Sequence, residues 1–272
     1  MHGARTVHYV PEKPDDIGEQ LELIGRAIAA RPDAMVFVPV HETAVNDAIL
    51  RINAAGIPLF NLISPTMAGE RVTFVGSDDC ALAMQITCYL ASQLGGRRRV
   101  VILEGTPSSS TSRPRLAGIA AGVALSQPLA ITASVRGDYQ RDIAKDAVSA
   151  LLAAGIEFEG VIAANDTMAL GALDALDALD QGRPARLIVG INAIPEAIAA
   201  IRDGRMLATA DFDAMKMACI ATEAAVRHLR GERVPARIIL PVQVVDAANC
   251  ALWDRPYENR ECPSWDEMTR NQ

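Results

Sequence analysis

Short runs of apolar and β-branched residues alternate with helical patterns along the chain to about residue 245, and few folds accommodate that alternation. The runs are Thr6–Val10, Ala34–Val40, Leu59–Ile63, Val72–Val75, Val100–Leu103, Ile131–Val135, Gly160–Ala163, Leu187–Gly190, Leu207–Ala210 and Ile238–Val245. Several are apolar nearly throughout, as strands covered by helices on both faces must be, whereas a strand with one wet face alternates. The pattern predicts a parallel, doubly wound α/β architecture. At 272 residues with 50% hydrophobic content, the chain can fill two cores, so two lobes are expected.

The helical stretches carry their own punctuation. Asp15 or Asp16 is placed to cap a helix whose apolar stripe is Ile17, Leu21, Ile24 and Ile28, and Pro32 forces its end. Gly56, Gly95-Gly96, Gly155, Gly182 and Gly231 stand where helices must stop before the next strand. Residues 34–63 and 160–190 share one plan: strand, polar residue beyond its carboxyl end, Ala-rich helix, glycine stop, second strand. One half-domain design used in both lobes explains this. From Asn249 to Gln272 the periodicity is lost; both tryptophans fall here, which suits a tail laid across a surface, with order beyond Trp265 left open.

The 26 basic residues are outnumbered by 33 acidic ones, for a net charge of -7. The short cluster Arg97, Arg98, Arg99 reads as a solvated turn, so no nucleic-acid partner is expected. Cys80, Cys88, Cys219, Cys250 and Cys262 form no CxxC pair and no metal-ligand spacing with the histidines. Small core residues with free thiols are expected, a Cys250–Cys262 staple of the tail being the alternative. No run is long enough for a membrane span. Met1 to Asp16 lacks a basic segment followed by an apolar one, so the chain as written is expected to carry no export signal.

Reactive constellations are absent from the pattern. Gly105 to Arg113 lies between a strand and a helix but lacks the Gly-Lys-Ser/Thr ending of a phosphate loop, and neither GxSxG nor GxGxxG follows a strand. His41, beside Glu42, reads as a solvated loop residue. Polar residues do gather at strand ends, where open α/β sheets bind ligands: Arg113 and Arg115, Tyr139, Asn165 with Asp166, Asn192, and Asp211, Phe212 and Asp213. Helix capping is the expected duty of Asp138 and Asp166. Asn amides, an Arg fork and carboxylates suit hydroxyls that both donate and accept, and an aromatic ring covers a sugar's C–H face. A pocket of this composition binds without reacting, and no cofactor or metal is expected.

The run Val161-Ile162-Ala163-Ala164-Asn165-Asp166-Thr167-Met168-Ala169-Leu170-Gly171-Ala172 resembles the hallmark of type I periplasmic sugar-binding proteins, the ribose-binding class of ABC-transporter solute receptors. So do Val189-Gly190-Ile191-Asn192-Ala193-Ile194-Pro195-Glu196-Ala197, the segment Asp203-Gly204-Arg205 through Ala208-Thr209, and Gly231-Glu232; the similarity runs from about residue 4 to residue 246. It implies two lobes joined by three crossovers near Ser77-Asp78, Phe212 and Pro241. The implied division is 1–77 plus 213–240 for the first lobe, 78–212 plus 241–253 for the second, and 254–272 for a tail. It implies a periplasmic monomer that binds a monosaccharide or polyol and hands it to an ABC-transporter permease.

By the same resemblance Arg115, Tyr139, Asn165 and Asn192 contact the ligand. Asn192 replaces an Asp of the ribose binders. Phe212 replaces a hinge Gln, with Asp211 or Asp213 as the flanking polar group, and Ile63-Ser64 replaces an Asp-Arg pair. The family's first strand and helix have no counterpart in the sequence, so an open gap in the first sheet, poor stability or weak binding, and a truncated gene product are the expectations. Two other readings compete. The effector domain of a lactose-repressor-like regulator shares this fold but would need a helix-turn-helix, and a sugar-processing enzyme would need a nucleophile and base.

Overall fold

The computed structural model describes residues 3–13, 16–95, 99–126, 129–179, 185–256 and 259–270; Asp15, Gly96, Arg97, Arg98 and Gly182, singled out above, lie outside them. The first sheet has the order β1 (Met35–Phe37), β2 (Leu59–Leu62), β3 (Thr73–Gly76), β9 (Arg237–Ile239), all parallel. Along β2, Leu59 enters a core with Ile24 of α1 (Ile17–Ala29) and Ile49 and Ile52 of α2 (Asn46–Ala54). Its neighbour Phe60 points to the other face, against Ala224 and Ala225 of α8 (Ala214–Leu229). Burial on both faces is why β2 lacks polar alternation. Asp16 caps α1, accepting from the Glu19 amide at 2.9 Å.

The second sheet runs β10 (Gln243–Asp246), β8 (Ala208–Asp211), β7 (Leu187–Ile191), β6 (Gly160–Ala163), β4 (Arg99–Glu104), β5 (Ala130–Arg136). All pairs are parallel except β10 with β8. The same two-sided logic holds in β4. Val101 and Leu103 join a core with α5 (Arg141–Ala153), α6 (Asp166–Leu179) and α7 (Pro195–Arg202). Val100 and Ile102 join the opposite core with α3 (Asp79–Leu94) and α4 (Ser112–Leu125). The two segments of shared plan fold alike, β1–α2–β2 and β6–α6–β7 each closing a parallel strand pair.

The helices α3 and α4 approach so closely that glycine is required between them. A Cβ on Gly118 would stand 2.2 Å from the Cys80 carbonyl oxygen, and one on Gly122 would stand 2.6 Å from the Thr87 Cβ. Gly118→Ala must push α4 off α3, and we expect a loss of about 1–3 kcal/mol in denaturant unfolding; an unchanged midpoint would mean that the pair is loosely packed.

Three expectations are corrected. Thr6–Val10 forms no strand: Val7 and Val10 are exposed and no described strand pairs with the segment, so alternating apolar content without a covering face leaves it irregular. Ile238–Val245 is two strands on different sheets, because Pro241 has no N–H for a ladder and the chain changes sheet there. Third, Cys262 bonds to Cys219 on α8 rather than standing free or joining Cys250, which is a buried free thiol. The tail is ordered past Trp265, in the short helix α9 (Trp265–Thr269).

Candidate functional site

The chain passes from the first sheet to the second between β3 and α3, back between β8 and α8, and across again between β9 and β10. Strand carboxyl ends of the second sheet surround one side chain. Arg115, in the first turn of α4, is 4% exposed. Its Nε donates to Asp79 Oδ1 at 2.8 Å, and its Nη1 donates to the Ala164 carbonyl at 2.6 Å and to Asn192 Oδ1 at 3.3 Å. The guanidinium carbon lies 5.9 Å from the Tyr139 ring centroid and 5.8 Å from that of Phe212. Each partner follows a different element: Tyr139 follows β5, Ala164 β6, Asn192 β7 and Phe212 β8, while Asp79 opens α3. A desolvated guanidinium needs such partners, and both rings present the negative face that attracts a cation. Nη2 makes no hydrogen bond among the described residues.

The loops carrying these groups are conformationally unusual. Among the described non-glycine residues with positive φ, all but Arg31 lie just beyond a strand's carboxyl end: Ile63, Asp138, Tyr139, Asn192, Ala193 and Asp213. Left-handed backbone in β-branched or bulky residues is held only where surroundings impose it, and such strain gathers at binding sites. Tyr139 is held by its hydroxyl, bonded to Thr111 at 2.9 Å and Ser112 at 3.0 Å. Asn165 Nδ2 reaches the Tyr139 carbonyl at 3.4 Å, while its Oδ1 accepts from the Met168 amide at 2.8 Å. Asn165 is thus the cap of α6.

That overturns the expected role of Asp166. Its fully buried carboxylate accepts from Thr209 Oγ1 at 2.6 Å and from the Ile194 amide at 3.0 Å. Thr209 Oγ1 also accepts from the Ala193 amide, and the Asn192 amide donates to the Ala210 carbonyl, so three consecutive amides pin the Asn192 turn to β8 and α6. Burial pushes the Asp166 carboxyl up to about 7, against the lowering pull of its two donors. Asp138 caps nothing either: Gln140 precedes α5, and the Asp138 carboxylate is paired with Arg136 at 2.7 Å.

The remaining expected site residues divide. Phe212 is buried against Arg115. Asp211 faces away from it, accepting from Trp253 Nε1 at 2.6 Å and from the Asp213 amide at 2.7 Å, and burial raises its carboxyl to about 6. Asp213 caps α8 through the Lys216 amide at 3.1 Å. Neither carboxylate is directed at the Arg115 cluster. Arg113 is 79% exposed and reaches across to Glu42, in the loop after β1, at 3.3 Å. His41 braces that loop, its Nδ1 accepting from the Thr43 and Ala44 amides. Ile63, beyond β2, packs against the core that includes Phe212. Asp79 was missed by sequence reasoning; the available signal was that a buried arginine demands a carboxylate, and the Asp78-Asp79 pair opens the next helix.

Donors on separate strand ends with an aromatic flank, reached from the loop after β1 by the Arg113–Glu42 pair, suit a small polar ligand. The chain matches the family described as periplasmic binding protein domain across residues 3–233. It is 30% identical over 243 residues to a protein of Rhizobium meliloti named for rhizopine binding, covering 87% of this chain and 79% of that one. It is 30% identical over 207 residues to the ribose import binding protein of Escherichia coli, covering 76% and 69%. An ABC transporter periplasmic solute binding protein from Actinobacillus succinogenes, solved with bound D-allose, superposes with a TM-score of 0.82 at 28% identity, over 89% of this chain and 86% of that one. The chain belongs to the periplasmic binding protein family, as a type I sugar-binding receptor of the ABC-transporter class, which binds its ligand without transforming it.

Proposed function

We propose that the ligand is a monosaccharide or polyol held over the carboxyl ends of β5 to β8, with the first sheet closing on it, and that the receptor acts as a periplasmic monomer delivering it to a permease. The observation that carries this reading is the Arg115 cluster. Arg115 is anchored through Nε and Nη1 while Nη2 is uncommitted, and Asn192 offers its Oδ1 to Arg115 and keeps its Nδ2 for a ligand. Asn165 Nδ2, at 3.4 Å from the Tyr139 carbonyl, its one acceptor among the described residues, is readily redirected. Hydroxyl oxygens accept from these donors, and Tyr139 and Phe212 flank them. The lobes comprise residues 1–77 with 213–240 and 78–212 with 241–253, joined by hinges at the three crossovers.

Isothermal calorimetry with D-ribose, D-allose, L-arabinose and myo-inositol tests this. The expected outcome is micromolar or tighter binding of at least one, with a matching rise in melting temperature. Absence of heat and of any melting shift with the whole panel would overturn the reading.

A further inference from the structure

The C-terminal segment is anchored to both halves of the molecule. On the second-sheet side, Cys250 is buried in the core shared by α6 and α7, Trp253 Nε1 donates to Asp211, and Asp254 pairs with Arg202 of α7 at 2.8 Å. On the first-sheet side, Cys262 is bonded to Cys219 of α8, the Trp265 ring centroid lies 4.8 Å from the Arg227 guanidinium carbon of α8, and Trp265 packs against the cluster of Phe60 with Ala224 and Ala225 of α8. Arg260 joins the two halves of the segment, donating to the Trp253 and Arg255 carbonyls. The Asp211 anchor is at a crossover, and the next residue is Phe212, whose ring lies over Arg115. Of the anchors, only the disulfide is covalent, and Cys262 is exposed.

We infer that this strap, closed by Cys219–Cys262, limits how far the two lobes separate, so that the thiol state of the pair regulates ligand residence in the crevice. The regulatory half of this inference rests on the sugar-receptor reading; the mechanical half does not. A dithiol reductant opens the strap by two thiol–disulfide exchanges: the pair takes up two electrons and two protons, and the reductant leaves as its cyclic disulfide. Freed from Cys219, the segment keeps its hold on the second sheet through Trp253 and loses its covalent hold on the first.

The test compares the full oxidised chain, the same chain in dithiothreitol, and Cys262→Ser. Amide hydrogen exchange is followed at the crossovers, residues 211–213 and 239–243, and within 259–270. Both tryptophans of the chain lie in the strap, so their fluorescence reports its release. Expected are about tenfold faster exchange at both crossovers in the reduced and Cys262→Ser proteins, and three- to tenfold faster dissociation of whichever sugar of the panel binds. Faster exchange confined to 259–270, with crossovers and dissociation unchanged, would overturn the inference. If no sugar binds in either state, faster crossover exchange still supports the strap and the sugar reading alone fails. Should Cys262→Ser not fold, Trp253→Phe, which breaks the Asp211 anchor and leaves the disulfide, must accelerate the same crossovers, and no change there overturns the strap.

Discussion

Arg115→Ala lowers sugar affinity by about 10²–10³-fold, the largest binding effect expected of any single substitution in this chain. Two losses combine. The uncommitted Nη2 is removed, and with it a charge-assisted donor to the ligand; the carboxylate of Asp79, which accepts from Nε at 2.8 Å, loses its partner in a desolvated setting. The broken Arg115–Asp79 pair exists with and without ligand, so it enters affinity only by misplacing Asn192 and the pocket wall; losing a buried charged donor to the ligand costs about 2–5 kcal/mol, which brackets the stated fold-change. Arg115→Lys keeps the charge but cannot hold Asp79, the Ala164 carbonyl and Asn192 at once while presenting a free nitrogen, so a loss of at least tenfold is expected. Asp79→Asn retains an acceptor oxygen for Nε and should lose about tenfold through weaker positioning. Calorimetry with the tightest sugar of the panel decides. Wild-type affinity in Arg115→Lys would mean that the ligand does not contact Nη2.

The second large effect concerns stability and pH. The Asp166 carboxyl rises from an ordinary value of 3.8 to about 7 because burial penalises its charge more than Thr209 and Ile194 relieve it. Between those values the folded chain binds the proton and the unfolded chain does not, so stability is fully present below about pH 4 and declines as pH rises to about 7. The slope is about 1.4 kcal/mol per pH unit, and Asp166 alone should remove roughly 2–3 kcal/mol between pH 5 and pH 8. Asp211, raised to about 6, acts in the same direction over a narrower window. Asp166→Asn can still accept from the Ile194 amide and donate to Thr209, without a charge to desolvate. Urea unfolding at pH 5 and pH 8 should show the decline shrinking by that amount in Asp166→Asn; an equally steep decline in both proteins would show that Asp166 is already ionised at pH 5.

The sheets were legible because strands covered on both faces announce themselves: Val100 to Leu103 feeds two cores with alternate residues and so contains no polar gap. Strand-end position gathered Arg115, Asn165 and Asn192 with Asp166, Asp211 and Asp213, and only the resemblance set the first three apart, since position alone does not distinguish a ligand donor from a cap. That ambiguity explains why the cap expected of Asp166 falls to Asn165. Adjacent residues at a helix start both suit a cap, and only the packing of Thr209 beneath α6 decides which carbonyl oxygen is taken up locally. Cys219–Cys262 was invisible because a helix in mid-chain and a tail carry no spacing relation until both are folded. Asp211 and Asp213 were drawn toward the site by proximity to Phe212, yet one serves Trp253 and the other α8.

The first sheet is finished by β9, whose Arg237 pairs with Phe74 of β3. A chain delivered amino end first leaves that edge without its neighbour until the long stretch between β3 and β9 has followed. Until then the first sheet has an open border, whereas much of the other sheet is made of strands that follow one another closely and can assemble as they arrive. Delayed arrival of β9 should raise the yield of aggregated chains without altering the finished molecule.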